Sequence, residues 1–216
     1  MKKIVFTLMA MSLMSVTLMS AQEGISKGDL LVRLRGVGVV PNESSNVGVI
    51  GGDVTLSNTF IPELDFTYFF TDHIAAELVL GTAKHDVSVV NSAAGNIDLG
   101  SVWILPPTLT AQYHFYISDE KVFKPYVGAG LNYTLFYNSK SGAVADVSYD
   151  NALGYAAQLG FDLMLNDTFF INVDAKRLFL STDVTVDATN LVPGLSVPAK
   201  VDIDPWLLGF GIGMKF

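Results

Sequence analysis

The chain has 216 residues, half of them apolar and 16% charged, with a net charge of −8 and no cysteine. The missing cysteine excludes disulfides, thiolate metal sites and a lipidated N-terminal Cys. The acidic balance, with no basic run beyond Lys2 and Lys3, argues against nucleic acid as a partner.

Mean hydropathy is positive, yet past the N-terminus no apolar run approaches the roughly 20 residues that a membrane helix needs. Strands with one apolar face reconcile the two observations. In lipid such strands must pair all their backbone groups, so they close into a barrel.

In chain order, Lys2 and Lys3 precede an apolar stretch from Ile4 to about Met19 that ends in Ser20 and Ala21. A charged start, an apolar core and a small-residue end predict a secretory signal peptide over 1–21, cleaved after Ala21 or Ser20. The remaining 22–216 form one domain.

From Gly28 onward the dominant period is two. Leu208, Phe210, Ile212, Met214 and Phe216 alternate with Gly209, Gly211, Gly213 and Lys215, and similar alternation runs from Val127 to Tyr137 and from Phe169 to Val173. Eight strands are predicted: about 28–40, 58–70, 73–86, 102–116, 123–138, 150–165, 168–182 and 200–216. Short turns (Thr71-Asp72, Ser118-Asp119-Glu120, Asn166-Asp167) alternate with long Gly/Ser/Asn-rich loops at 41–57, 87–101, 139–149 and 183–199. That rhythm predicts an all-β, up-and-down antiparallel transmembrane barrel in a Gram-negative outer membrane, with both termini periplasmic. A soluble lipocalin-like barrel would need the opposite polarity. Aromatic belts are expected at Tyr68, Phe69, Phe70, Tyr113, Phe115, Phe123, Tyr126 and Phe216 on the periplasmic side, and at Phe60, Trp103, Tyr137 and Trp206 on the outer side.

The other strand parity lines the lumen. Its lower half carries Arg33, Arg35, Glu63, Asp65, Glu77, Gln112, His114, Asn132, Gln158, Asp162, Asn172, Asp174 and Lys176. Its upper half carries Val37, Val39, Ile61, Val79, Ile104, Pro106, Phe136, Leu178, Leu180 and Leu207. The expectation is an apolar well open to the outside above a charged, hydrogen-bonded plug, because buried charges persist only when paired. Parity can slip at a bulge, and Pro205 with Asp202 and Asp204 marks one such place. Pro62, Pro106 and Pro107 fall within strands, where a missing donor produces a bulge or a weakened seam through which an apolar ligand leaves sideways.

The chain also resembles the OmpW family. The residues that carry the resemblance are Arg33-x-Arg35-Gly36 with Pro41, Pro62-x-x-Asp65, Tyr68 through Glu77, Leu105 through Leu109, Gln112 through Phe115, Lys124 through Thr134, Asp204-Pro205 and the terminal Phe216. The resemblance implies a barrel with a hydrophobic channel that passes small hydrophobic molecules into the outer membrane, and members that serve as bacteriocin receptors and surface antigens; bacteriocin or phage contact is expected through the loops. Outer-membrane lipid and lipopolysaccharide are the expected surroundings. No cofactor and no metal site are expected, since no spaced ligand motif occurs. The alternative is a structural or interaction barrel that displays loops without transport. The chain is not expected to be an enzyme; the one candidate cluster is His85-Asp86 with Ser88 at the outer end of the third strand.

Overall fold

The computed structural model describes residues 25–47, 51–93, 95–117 and 122–216. The expected signal peptide and the turn at 118–120 lie outside the described residues. Fifteen strands follow in order: β1 (Leu30–Val40), β2 (Ser44–Val47), β3 (Asp53–Leu56), β4 (Thr59–Phe69), β5 (Ile74–Gly81), β6 (Ala83–Ser92), β7 (Gly95–Leu105), β8 (Thr108–His114), β9 (Phe123–Lys140), β10 (Asp146–Tyr149), β11 (Ala152–Met164), β12 (Phe169–Phe179), β13 (Ser181–Asp187), β14 (Ser196–Asp202) and β15 (Trp206–Lys215).

Eight of these close on themselves in the order β11-β12-β15-β1-β4-β5-β8-β9, with β9 paired back to β11. Alternation drives the closure. In β1, Leu31, Arg33, Arg35, Val37 and Val39 point inward and are buried, while Val32, Leu34 and Val40 face out. Around the ring, Leu64, Leu78, Leu109, Leu131, Leu159, Phe210 and Ile212 remain exposed. An exposed apolar belt of this extent is stable only in lipid. The turns are local devices: Thr71 Oγ1 accepts from the amides of His73 and Ile74, and Asn166 Oδ1 from those of Thr168 and Phe169. Leu30 and Phe216 exchange backbone hydrogen bonds, so the described start and the end of the chain share the periplasmic rim.

The four regions expected as irregular loops hold strands of their own. β3, β6 and β7 continue the wall from β9, and β2, β10, β13 and β14 form a second sheet. Together they raise a second storey above the membrane ring. Its inner face is apolar, with Val87, Val89, Val102, Val184, Val186, Val197 and Val201 buried, and its outer face carries Lys84, Asp86, Asp183 and Lys200. The two storeys meet at breaks that keep parity. At Asp204, φ is +36° and its carboxylate accepts from Leu180 N at 3.0 Å, yet Val201, Ile203, Pro205 and Leu207 all stay inward. The slip anticipated there does not occur.

Candidate functional site: a lumen closed below and apolar above

The lower lumen is filled by a charged network. Arg33 pairs with Asp65 at 2.9 Å and Asp162 at 2.8 Å, and also donates to Thr67. Arg35 pairs with Glu63 at 2.8 Å and with Asp65 at 3.0 Å. Glu77 accepts from Gln112 at 2.8 Å, Gln158 at 2.9 Å and Lys176 at 3.3 Å. Asp174 accepts from Tyr126 and from Gln158, each at 2.8 Å. Of the residues expected in the plug, all but Asn132 join one buried network, with His114 bonded to Gln112 and Asn172 to Asp162. Asn132 is buried apart from it, bonded to Thr108, Thr134 and the carbonyls of Pro106 and Pro107. Such a set holds together because each charge has an opposite partner within direct contact. Beneath it, Ile25, Leu31, Phe69, Ala75, Met164 and Phe170 form an apolar floor, and Lys124 Nζ caps the Ile25 carbonyl at 2.6 Å.

Two expected belt aromatics belong inside. Phe69 lies in the apolar floor, fully buried, and Tyr126 sits in the plug, 1% exposed, accepting from Asn172 at 3.1 Å. Aromatics near a strand end read as interface residues; only their inward parity marks them as lumen residues. Gly160 makes room for Tyr126, since a Cβ there would lie 2.5 Å from the phenol oxygen.

Above the plug, Val39, Ile61, Val79, Ile104, Pro106, Leu178, Leu180 and Leu207 line a lower chamber of about 50 Å³. Val37 is buried in the same apolar cluster but lines neither this chamber nor the one above it. Phe136 stands higher, stacked on Tyr149 at 5.6 Å, and lines an outer chamber of about 260 Å³. That larger chamber is walled by the second storey, including Val54, Leu56, Val87, Leu99, Val184, Val197 and Val201, with Leu191, Val192 and Leu195 at its rim. Ile203 borders both chambers. The short alternations Val87-Ser88-Val89 and Val184-Thr185-Val186 were the available signal for this upper wall.

Among the described residues, the longest break in the ladder beside the lower chamber lies next to β4. The β4–β5 ladder ends at Glu63 opposite Gly81, and the next bond across that side is Ser57 N to Asp86 O at 3.0 Å. Between them stand Pro62, which has no N–H to give, and Ile61 against Thr82 and Ala83. On the β9 side Pro106 and Pro107 make no such gap, because Tyr133 N donates to Pro107 O at 3.0 Å. On their other side the ladder breaks more briefly, between Val79 opposite Thr108 and Ala83 opposite Ile104, with Thr82 Oγ1 donating to Ile104 O at 3.1 Å across it. His85 staples the top of the seam: its Nδ1 lies 2.7 Å from the Ser57 carbonyl oxygen. Burial pulls its pKa below the usual 6.5, opposed by that carbonyl and by Glu43 and Asp86. His85 points inward while Asp86 and Ser88 lie on the outer face, so the candidate His-Asp-Ser cluster is split by the wall.

A closed ring of eight strands with an apolar outer belt, short turns at one rim and a polar-skinned second storey at the other defines an integral outer-membrane β-barrel. The chain belongs to the OmpW family, whose profile matches residues 26–216. It is 44% identical to the uncharacterised outer-membrane protein y4mB of Sinorhizobium fredii, over 96% of this chain and 89% of that one. It is 33% identical to outer membrane protein W of Escherichia coli, over 88% of this chain and 89% of that one. Among solved structures it is similar to OprG of Pseudomonas aeruginosa, with a TM-score of 0.83 and 28% identity over 90% of this chain and 99% of that one. It is also similar to AlkL in lipid bilayers, with a TM-score of 0.68 and 25% identity over 94% and 97% of the two chains.

Proposed function

We propose that the barrel takes small apolar molecules into the outer chamber, passes them by Ile203 into the lower chamber and releases them sideways into the outer membrane. The observation that carries this reading is a pairing of opposites. The axial route ends on a desolvated charged plug, while the wall beside the lower chamber lacks ladder bonds between Glu63–Gly81 and Ser57–Asp86. An apolar molecule gains about 25 cal/mol for each Å² it removes from water in such a lumen, whereas crossing the plug would break buried ion pairs.

Gly81 gives the test. A Cβ there would meet Ile61, Glu63 and Pro62 at 3.5–3.7 Å, so the position faces the seam without being crowded. In cells that express Gly81→Phe, delivery of n-octane to the membrane is expected to fall while alkane binding in the outer chamber persists. Unchanged delivery would overturn the lateral route.

The second reading is a barrel that displays loops to bacteriocins or phage. It draws on Leu191 and Val192, 56% and 53% exposed at the outer rim. Deletion of 189–193 separates the readings: loss of partner binding with alkane delivery intact favours display. Catalysis has no part in either reading, because His85 is occupied by Ser57 and turned away from Asp86 and Ser88. Residues 1–21 are read as the export signal, and N-terminal sequencing of the mature protein is expected to begin at Gln22; a mature chain that retains Met1 would overturn that reading.

A further inference from the structure

The two chambers differ in chemistry. The outer chamber is lined by apolar side chains apart from Tyr149 and Thr182, whose hydroxyl donates to Asp150 O, whereas the lower one is bordered by Glu63, His85, Thr108, Thr134 and Lys176 among its apolar side chains. Most of these polar groups are already engaged. Glu63 is paired with Arg35 at 2.8 Å, His85 with Ser57 at 2.7 Å, Thr108 donates to Pro106 O at 3.0 Å, and Thr134 donates to Asn132 at 2.7 Å.

Lys176 is different. Its side chain is 1% exposed, and an ammonium carries three donors. Among the described residues its one hydrogen bond runs to Glu77 Oε1 at 3.3 Å. A buried cation with donors left over at the edge of a cavity calls for an acceptor.

We propose that the lower chamber is a subsite for the neutral, oxygen-bearing end of an aliphatic ligand, an alcohol, ketone or ester, held by Lys176. This deepens the reading of the lumen as a ligand path and rests on it. The sizes suit a head below and a tail above. The lower space, about 50 Å³, admits a small polar group, and the apolar chain extends past Ile203 into the outer chamber of about 260 Å³. Charge decides against an acid. Among the described residues the buried lumen groups are Arg33, Arg35, Lys124 and Lys176 against Glu63, Asp65, Glu77, Asp162 and Asp174, one carboxylate in excess. A further carboxylate would enter a poorly screened site whose anions already outnumber its cations.

The experiment compares n-octane, 1-octanol, 2-octanone and octanoate by titration of the refolded full-length protein in lipid nanodiscs, with empty nanodiscs as the blank. The alcohol and ketone are expected to bind about tenfold tighter than octane and octanoate, as one hydrogen bond from a charged donor supplies. In Lys176→Met, checked for folding by the heat-dependent gel mobility of barrels, the alcohol-to-alkane ratio is expected to fall to about one. Octane binding as tightly as octanol, octanoate binding most tightly, or an unchanged ratio in Lys176→Met would each overturn the subsite. The wild-type series decides the matter even if the variant does not fold. If octane binds and shows no difference from octanol, only the subsite fails; if none of the four binds, the path itself fails with it.

Discussion

Glu77 is the most heavily used acceptor in the plug, and its neutralisation measures how much the plug contributes to the barrel. Its carboxylate takes hydrogen bonds from Gln112, Gln158 and Lys176 at 2.8–3.3 Å, and lies 3.4 Å and 3.5 Å from Arg33 and Arg35. Glu77→Gln keeps the shape but takes from buried Lys176 the anion to which it is bonded, while Arg33 and Arg35 keep Asp65, Asp162 and Glu63. Removal of one partner from a buried ion pair costs about 3–5 kcal/mol, and Glu77, fully buried, sits at that level of desolvation. The control is Asp86→Asn on the outer skin, where the pair with Lys84 spans 3.7 Å between side chains 47% and 76% exposed. Such a pair contributes less than about 0.5 kcal/mol. The assay is reversible urea unfolding of the protein refolded in phospholipid, followed by Trp fluorescence and gel mobility. The double variant Glu77→Gln/Lys176→Met should lose less than the sum of its parts, because it removes a cation with the anion. A loss in Glu77→Gln below about 1 kcal/mol, no larger than an ordinary neutral hydrogen bond, would refute the plug as an electrostatic keystone.

Ile203→Trp, placed at the one side chain among the described residues that borders both chambers, is expected to abolish alkane delivery while the barrel still folds; undiminished delivery would break the continuity of the path. The His85 staple should weaken in acid. Its folded pKa lies below 6.5, so between that value and 6.5 the unfolded chain binds a proton that the folded one lacks. The contribution of the neutral ring is complete above about pH 6.5 and lost as pH falls. Amide exchange at Ser57 and Asp86, corrected for intrinsic rates, is expected to quicken at pH 5.5 relative to 7.5, and equal protection at both would count against the staple. Gly130→Ala would press a Cβ onto the Leu109 carbonyl, where no flexible side chain can yield. A destabilisation of about 1–3 kcal/mol is expected from such overpacking, and a neutral result in urea unfolding would contradict the close strand approach.

The membrane ring was legible because two faces with opposite demands impose a strict period of two. Arg33 and Arg35 on one parity, with Leu34 on the other, place the plug without any knowledge of partners. Tyr126 and Phe69 escaped because an aromatic near a strand end satisfies the interface expectation as well as the lumen one, and only the choice of face separates them. The second storey escaped for a different reason. Its strands β2, β3 and β10 are four residues long and lie in Gly-, Ser- and Asn-rich surroundings, so local composition reads as loop. They become strands through pairings distant in sequence, such as Asp146 opposite Asp187 and Ser44 opposite Asp202. Consequently the expected well was placed low, around Val37, whereas most of the open volume lies above it. Seam position was half legible: Pro62, Pro106 and Pro107 each signalled a missing donor and the ladder breaks beside each, but nothing in the sequence said that the break beside Pro62 is the longer one.

The central claim is a continuous apolar path from the outer chamber to the β4–β6 seam, closed beneath by the plug. Intermolecular NOEs between n-octane and methyl-labelled protein in deuterated nanodiscs test it most directly. Contacts are expected to Val184 and Val197 in the outer chamber, to Ile203 between the chambers and to Ile61 beside the seam, with none to Leu31 or Met164 in the floor. Contacts confined to lipid-facing methyls such as Leu131 and Ile212 would contradict the path.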